Sequence, residues 1–115
     1  MGPIGTIEPG IEVATGKPDW IRLIDTHPQL SSVPARWGVN PFTRAPLLFK
    51  AKPDTARVLL EQRQIGQIYW AMDDSRRLIV SADTGFEDRV ADIAQDVASR
   101  LGWRFVPDRS GSHAL

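Results

Sequence analysis

The stretch that decides the fold is TGFEDRVADIAQDVASRLG, residues 84–102. Thr84 and Glu87 have the spacing of a capping box, and Gly102 suits the left-handed conformation that ends a helix. Between them, apolar residues recur with the spacing of a single helical face: Phe86, Val90, Ile93, Ala94, Val97 and Leu101. The stretch therefore predicts an amphipathic helix from about Thr84 to Leu101 that buries one face against the rest of the domain.

The residues before this helix alternate with period two, which is typical of strands with one buried face. Residues 56–61, 65–73 and 77–83 form three such runs separated by short polar turns, so antiparallel hairpins are expected. Residues 46–50 and 103–106 add two shorter candidate strands. The sequence thus predicts an α+β fold in which an antiparallel three- to four-stranded β-meander packs against the C-terminal helix, followed by a final short strand.

The remaining segments complete the expected domain at residues 17–106. Residues 17–25 predict a short N-terminal helix, with Trp20, Leu23 and Ile24 on its apolar face and Pro28 ending it. Residues 28–46 contain four prolines and predict a long loop whose Trp37, Val39 and Phe42 fold back onto the core. Residues 1–16, rich in glycine and proline, predict a flexible arm with at most a short strand near residues 11–13. Residues 107–115 predict a flexible tail.

Composition excludes several classes of function. The chain has 115 residues and no cysteine, which rules out disulfides and thiolate chemistry. It has no apolar run long enough to cross a bilayer and no signal-peptide pattern, so a cytoplasmic protein without a membrane partner is expected. Lys and Arg together number 14, as do Asp and Glu, so a nucleic-acid partner is not expected. The charge is nevertheless divided, because residues 36–64 are mainly basic and residues 73–99 mainly acidic.

Few residues suggest catalysis. His27 and His113 have no partner at metal-ligand spacing, and no phosphate-binding or nucleophile motif is present, so neither a metal nor a cofactor is expected. Asp73 and Asp74 are adjacent carboxylates that could hold a cation or act as acid and base. The simpler interpretation of Asp73-Asp74-Ser75 is an ordinary turn.

Two further groups of residues, together with Asp73 and Asp74, are candidate interaction surfaces. Asp88, Asp92 and Asp96 recur every four residues and form an acidic stripe along the long helix, either a solvated face or a docking face for a basic partner. The other group combines residue types that are enriched at interface hot spots with a turn-forming Asn-Pro pair: Arg36, Trp37, Asn40, Phe42 and Arg44. Its simpler interpretation is that the aromatic rings cover one edge of the core.

The run Trp37-Gly-Val-Asn-Pro-Phe-Thr-Arg-Ala-Pro46 resembles the Asn-Pro-Phe-Thr-Gly-x-Pro segment of a group of small uncharacterised bacterial proteins. The resemblance extends over about residues 18–106, since a short Trp-containing helix precedes the segment and a Trp-containing hairpin and a helix follow it. Arg44 and Ala45 stand where glycine and glutamate are usual. The resemblance implies no assigned activity, and an immunity-type or accessory role only by analogy of build.

Three hypotheses follow. The first is a non-enzymatic protein-interaction domain of the immunity or accessory type. The second is a small hydrolase or nucleotide-binding enzyme that uses Arg36, Arg44, Asp73 and Asp74. The third is a self-associating structural domain that forms a homodimer through an uncovered sheet face carrying Leu59, Tyr69 and Ile79.

Overall fold

The computed structural model describes residues 2–10, 16–72 and 76–108. Eight strands and two helices lie in these ranges, in the following order: β1 (Gly2–Pro9), α1 (Lys17–Thr26), β2 (Leu30–Val33), β3 (Arg36–Val39), β4 (Pro46–Phe49), β5 (Lys52–Leu60), β6 (Arg63–Trp70), β7 (Leu78–Ala82), α2 (Glu87–Leu101) and β8 (Trp103–Pro107). The α+β class and both helices are confirmed. The prediction of a three- to four-stranded meander is wrong in its strand count.

Six strands form one antiparallel sheet with the order β2-β5-β6-β7-β1-β8. The predicted meander is the centre of this sheet, since β5, β6 and β7 are sequential neighbours. The remaining strands, β3 and β4, pair only with each other and form a separate two-stranded sheet. The segment predicted as a loop over residues 28–46 therefore contains strand β2, strand β3 and the start of strand β4.

Strand β1 differs most from expectation. Gly2–Pro9 was expected to lie in a flexible arm, and that prediction is wrong, because β1 is paired along β7 on one side and β8 on the other. Ile7 is fully buried. Gly5 is required at its position, since a Cβ atom there would lie 2.5 Å from the Val106 carbonyl oxygen. Pairing on both sides outweighs the low strand propensity of glycine and proline. The strand suggested near residues 11–13 lies outside the described residues.

The core lies between one face of the six-stranded sheet and the two helices. Ala56, Ile68 and Val80 are cross-strand neighbours on that face and are all buried. Helix α2 packs on the part of the sheet formed by β8, β1, β7 and β6, and its Val90 side chain lies directly against the backbone of Gly66. Helix α1 contributes Trp20, which is fully buried and donates a hydrogen bond from its Nε1 to the Asp54 carbonyl oxygen at 2.9 Å.

Of the two predictions for the ends of helix α2, one is confirmed and one is wrong. Gly102 has a φ of 74° and ends the helix as predicted. The expected capping box at Thr84 does not form, because Gly85 has a φ of 93° and turns the chain before the helix begins at Glu87. The Glu87 carboxylate instead accepts a hydrogen bond from the backbone N–H of Gly85 at 2.7 Å. Phe86 occupies the N-cap position.

Gly66→Ala is expected to destabilise the protein by about 1–3 kcal/mol, because overpacking costs that much when backbone must move. An added Cβ atom would lie 2.4 Å from the Ser81 carbonyl oxygen and 2.9 Å from a Val90 methyl group. Urea denaturation measures the free energy of unfolding. Gly2→Ala is the matched control, since nothing lies within 4 Å of its added atom. Equal midpoints for the two variants would contradict the close approach of α2 to the sheet.

Candidate functional site

The two-stranded sheet is a β-hairpin, residues 36–49, that exposes apolar side chains on both of its faces. Trp37 is 71% exposed, Val39 64% and Phe42 92%. Leu47, Leu48 and Phe49 are also exposed. The prediction that Trp37, Val39 and Phe42 fold back onto the core is therefore wrong. The strands β3 and β4 pack mainly on each other, with no extensive contact to another described element.

The tip of the hairpin is held by local hydrogen bonds, which agrees with the predicted Asn40-Pro41 turn. The Asn40 side-chain oxygen accepts hydrogen bonds from the backbone N–H groups of Phe42 at 2.9 Å and Thr43 at 3.2 Å. The Asn40 carbonyl oxygen accepts from the N–H of Arg44 at 2.7 Å, and Arg44 adopts a φ of 58°. Phe42 is thus presented to solvent from a defined turn rather than from a loose loop.

The two arginines of this group lie at opposite ends of the hairpin. Arg36 begins β3 opposite Phe49, and its guanidinium lies over the Phe49 ring at 4.8 Å. Arg44 lies in the tip, where its N–H bonds to the Asn40 carbonyl oxygen, and Asn40 is four strand positions beyond Arg36. At about 3.3 Å per residue, their backbones are separated by roughly 13 Å. The enzyme hypothesis requires Arg36 and Arg44 to share one substrate, and the hairpin does not bring them together.

The other two members of that hypothetical set, Asp73 and Asp74, lie outside the described residues. So does His113. Within residues 2–10, 16–72 and 76–108, no group of three or more histidine and carboxylate side chains is arranged to hold a metal ion.

The acidic stripe of α2 is divided in the structure. Asp88 and Asp92 are exposed. Asp96 instead joins the two helices, because its Oδ2 lies 2.7 Å from Nε2 of the buried His27 and 2.9 Å from Nε of Arg100. Asp96 therefore has a structural role that its spacing along the helix does not indicate.

The partners of His27 fix which ring nitrogen carries the proton. Its Nδ1 accepts a hydrogen bond from the backbone N–H of Gln29 at 3.1 Å, so the proton resides on Nε2 and is donated to Asp96. The His27 bond, followed by the Arg100 bond, lowers the pKa of Asp96 below its ordinary value. Burial opposes this shift only weakly, since the Asp96 side chain is 47% exposed.

The face of the large sheet opposite the helices forms a second candidate site. Cross-strand neighbours on this face include Arg57 and Gln67 in one row and Tyr69 and Ile79 in the next. Near the root of the hairpin the face forms a concavity of about 690 Å³. Eight of its lining residues carry charged, hydroxyl or amide groups: Arg36, Lys52, Asp54, Thr55, Arg57, Gln64, Gln67 and Tyr69. A second, mostly apolar concavity of about 560 Å³ lies further along the face, beside Thr6, Ile79 and Val106.

The concavity was not predicted from the sequence, although the period-two pattern places several of its lining side chains correctly. Period two assigns Arg57, Gln67 and Tyr69 to the outward faces of their strands. The period does not give the strand order that places these faces side by side. It also does not predict β2, whose Ser31 lies beside Arg57 at the sheet edge. The face carrying Tyr69 and Ile79 was correctly expected to be uncovered by helix.

Function is inferred from the geometry of these sites alone. No protein-family model matches the chain, and neither the curated proteins nor the solved structures contain a match. In the described ranges, neither helix is long and apolar enough to cross a membrane.

Trp37→Ala and Phe42→Ala are each expected to change the free energy of unfolding by less than about 0.5 kcal/mol, because neither side chain packs on the core. Trp20→Ala should cost about 3–5 kcal/mol, since that ring is fully buried. Thermal unfolding followed by circular dichroism compares the three variants. A loss above 2 kcal/mol for a hairpin variant, on the scale of the buried-ring substitution, would show that the hairpin packs on the core.

Asp96→Asn is expected to destabilise the protein by about 1 kcal/mol at pH 7, and this effect is expected to shrink as the pH falls into the acid range. The wild-type carboxylate has a lowered pKa in the folded state. Its contribution is therefore complete above the unfolded-state value of about 3.9 and is lost as the pH falls through the folded-state value. The loss of stability stays small because the Asp96 side chain is partly exposed, so that water screens its interactions. Urea denaturation between pH 2 and pH 7 measures it, with Asp92→Asn as the control. Parallel pH profiles for wild type and Asp96→Asn would contradict the assignment.

Proposed function

We propose that this chain is a non-enzymatic protein-interaction domain that binds an acidic partner protein through the β3–β4 hairpin. The observation that carries the proposal is the exposure of six large apolar side chains on one projecting hairpin. The resemblance of residues 37–46 to small bacterial proteins favours an immunity-type or accessory role as the form that this function takes.

The exposed area is of the size that interfaces need. Trp37, Phe42 and Phe49 alone leave on the order of 400 Å² uncovered, given side chains of about 200–250 Å². The largest apolar patch on a typical monomer is about 300–600 Å² and often functional, and a standard interface buries about 800 Å² on each partner. The two leucines and Val39 extend the patch toward that size.

The hairpin is also pre-organised for binding. The hydrogen bonds of Asn40 fix the tip, and Arg36 stacks on Phe49 at the root. A fixed segment loses less conformational entropy when it binds than a loose one does. An isolated two-stranded hairpin is marginally stable in water, so a partner that covers its apolar faces would also stabilise it.

Charge selects the kind of partner. Arg36, Arg44, Lys50 and Lys52 surround the apolar residues, and no carboxylate lies between residues 36 and 53. A partner surface with carboxylates around an apolar pocket matches this pattern. Two copies of the hairpin placed against each other would bring these cations together, which disfavours a hairpin-to-hairpin dimer.

A second candidate function is self-association through the uncovered sheet face. It is favoured by Tyr69 and Ile79, which are paired across β6 and β7 and partly exposed on the face opposite the helices. Leu59 is likewise only partly buried. Light scattering in the experiment below distinguishes this candidate from the first.

The test uses a photo-crosslinking amino acid at position 42 in native host cells, followed by reconstitution with the purified protein that is captured. Trp37→Ala combined with Phe42→Ala should weaken the reconstituted complex by about 30-fold or more, as expected for aromatic hot spots. Met72→Ala is the matched control, because Met72 is a fully exposed apolar residue outside the hairpin. Calorimetry measures the dissociation constants.

The proposal fails if no captured protein rebinds in purified form, or if rebinding is indifferent to the hairpin substitutions. Light scattering at two concentrations accompanies each measurement. A mass that doubles with concentration and returns to monomer in Tyr69→Asp or Ile79→Asp, with hairpin variants unaffected, would replace the first candidate with the second.

A further inference from the structure

We propose that the concavity at the root of the hairpin is a binding site for a small organic anion, with a carboxylate or phosphate group on an aromatic or apolar body. The site lies on the uncovered sheet face and is separate from the exposed tip of the hairpin. The inference goes beyond the proposed protein interaction and does not depend on it.

The lining carries an excess of positive charge. Arg36, Lys52 and Arg57 contribute three cations, and Asp54 is the one carboxylate among the described lining residues. Asp54 is already balanced, because its Oδ2 lies 3.2 Å from Nζ of Lys17, a residue of α1 outside the concavity. The field inside the concavity therefore favours an anion, and the protein walls reduce its screening by water.

Arg57 is held in a fixed position for this role. Its Nη2 donates hydrogen bonds to the Ser31 hydroxyl and to the Ser32 carbonyl oxygen, both at 2.9 Å. These bonds immobilise a side chain that otherwise loses about 2 kcal/mol of rotamer entropy when it binds. The Nη1 donors take no part in these bonds and can donate to an oxygen of a carboxylate or phosphate.

The Nε atom of Arg57 is buried and has no hydrogen-bond acceptor among the described residues. Water does not reach this atom, so an anion in the concavity meets the Nη1 end of the guanidinium rather than Nε. The Nε–H belongs to the same delocalised group and therefore still reports binding to it.

The size and the walls indicate an organic ligand rather than a bare inorganic ion. A volume of about 690 Å³ lies within the range of about 300–1,000 Å³ for small-molecule sites. Val33 and Tyr69 contribute apolar and aromatic surface to the lining, while Gln67 adds an amide. A ring or alkyl body can pack on these side chains while its acidic group meets Arg57.

The experiment is an NMR titration of the full chain, in which the Arg57 side-chain Nε–H and the nearby backbone amides are followed. Phenyl phosphate, benzoate and inorganic phosphate are the probes, so the phosphate and carboxylate arms are separated and the contribution of the ring is measured. Saturable shifts at Arg57 with a dissociation constant of about 1 mM or lower are expected for at least one aromatic probe. Inorganic phosphate should bind at least about 5-fold more weakly, because it lacks the ring.

Matched variants assign the binding to the concavity. Arg57→Gln should weaken the bound aromatic probe by about 10-fold or more, which is the effect of losing a charge-assisted hydrogen bond. Arg89→Gln removes the same charge from the exposed side of α2 and should leave the affinity unchanged. If Arg57→Gln does not fold, Lys52→Gln takes its place, with an expected weakening of about 3- to 10-fold.

The proposal is overturned if neither aromatic probe gives saturable shifts at Arg57 up to about 20 mM. It is also overturned if Arg89→Gln weakens binding as much as Arg57→Gln or Lys52→Gln does, because the attraction would then come from net charge alone. Equal affinity for inorganic phosphate and phenyl phosphate would reject the organic body and with it the proposal as stated.

Discussion

The packing of both helices on one face of the six-stranded sheet is the constraint on which the remaining structure depends. The apolar stripe of α2 approaches the sheet closely because Gly66 has no side chain beneath Val90, and α1 covers the neighbouring part of the face at β2 and β5. Trp20 of α1 completes the layer, with its indole nitrogen satisfied by the Asp54 carbonyl oxygen. A one-sided core of this kind stabilises the sheet and at the same time leaves its second face for other uses.

The two candidate sites are products of that arrangement. Strand β5 continues the sheet and carries Arg57 onto the uncovered face, while β2 at the edge supplies the oxygens that hold it. Between β2 and β5 the chain leaves the sheet altogether and forms the hairpin, which has apolar side chains but no share in the core. The hairpin departs from the usual rule that large apolar groups are buried, and the proposed interaction is built on that departure.

Local sequence patterns predicted the elements that show a single hydrophobic period or a local stop signal. The helical stripe of α2, the stop at Gly102, the meander and helix α1 all belong to this class. Strand β1 could not be predicted, because its stability comes from two partner strands rather than from its glycine- and proline-rich sequence. The turn between β5 and β6 was also misplaced, since Glu61 and Gln62 both adopt positive φ without the Asn or Gly that normally marks such a turn. For the sites, the packing expected of the aromatic residues of the hairpin was wrong, because the exposure of Trp37 and Phe42 follows from strand order and not from composition.

The position of β1 also constrains the order in which the protein can fold. Ile7 lies beside Leu78 on one side and Phe105 on the other, partners that follow it by roughly 70 and 100 positions. Strands β5, β6 and β7 can assemble from consecutive chain, whereas β1 must wait for segments that the ribosome makes much later. Strand β1 is therefore synthesised before both of its partner strands, and until they are made its apolar residues remain accessible to chaperones and to neighbouring chains.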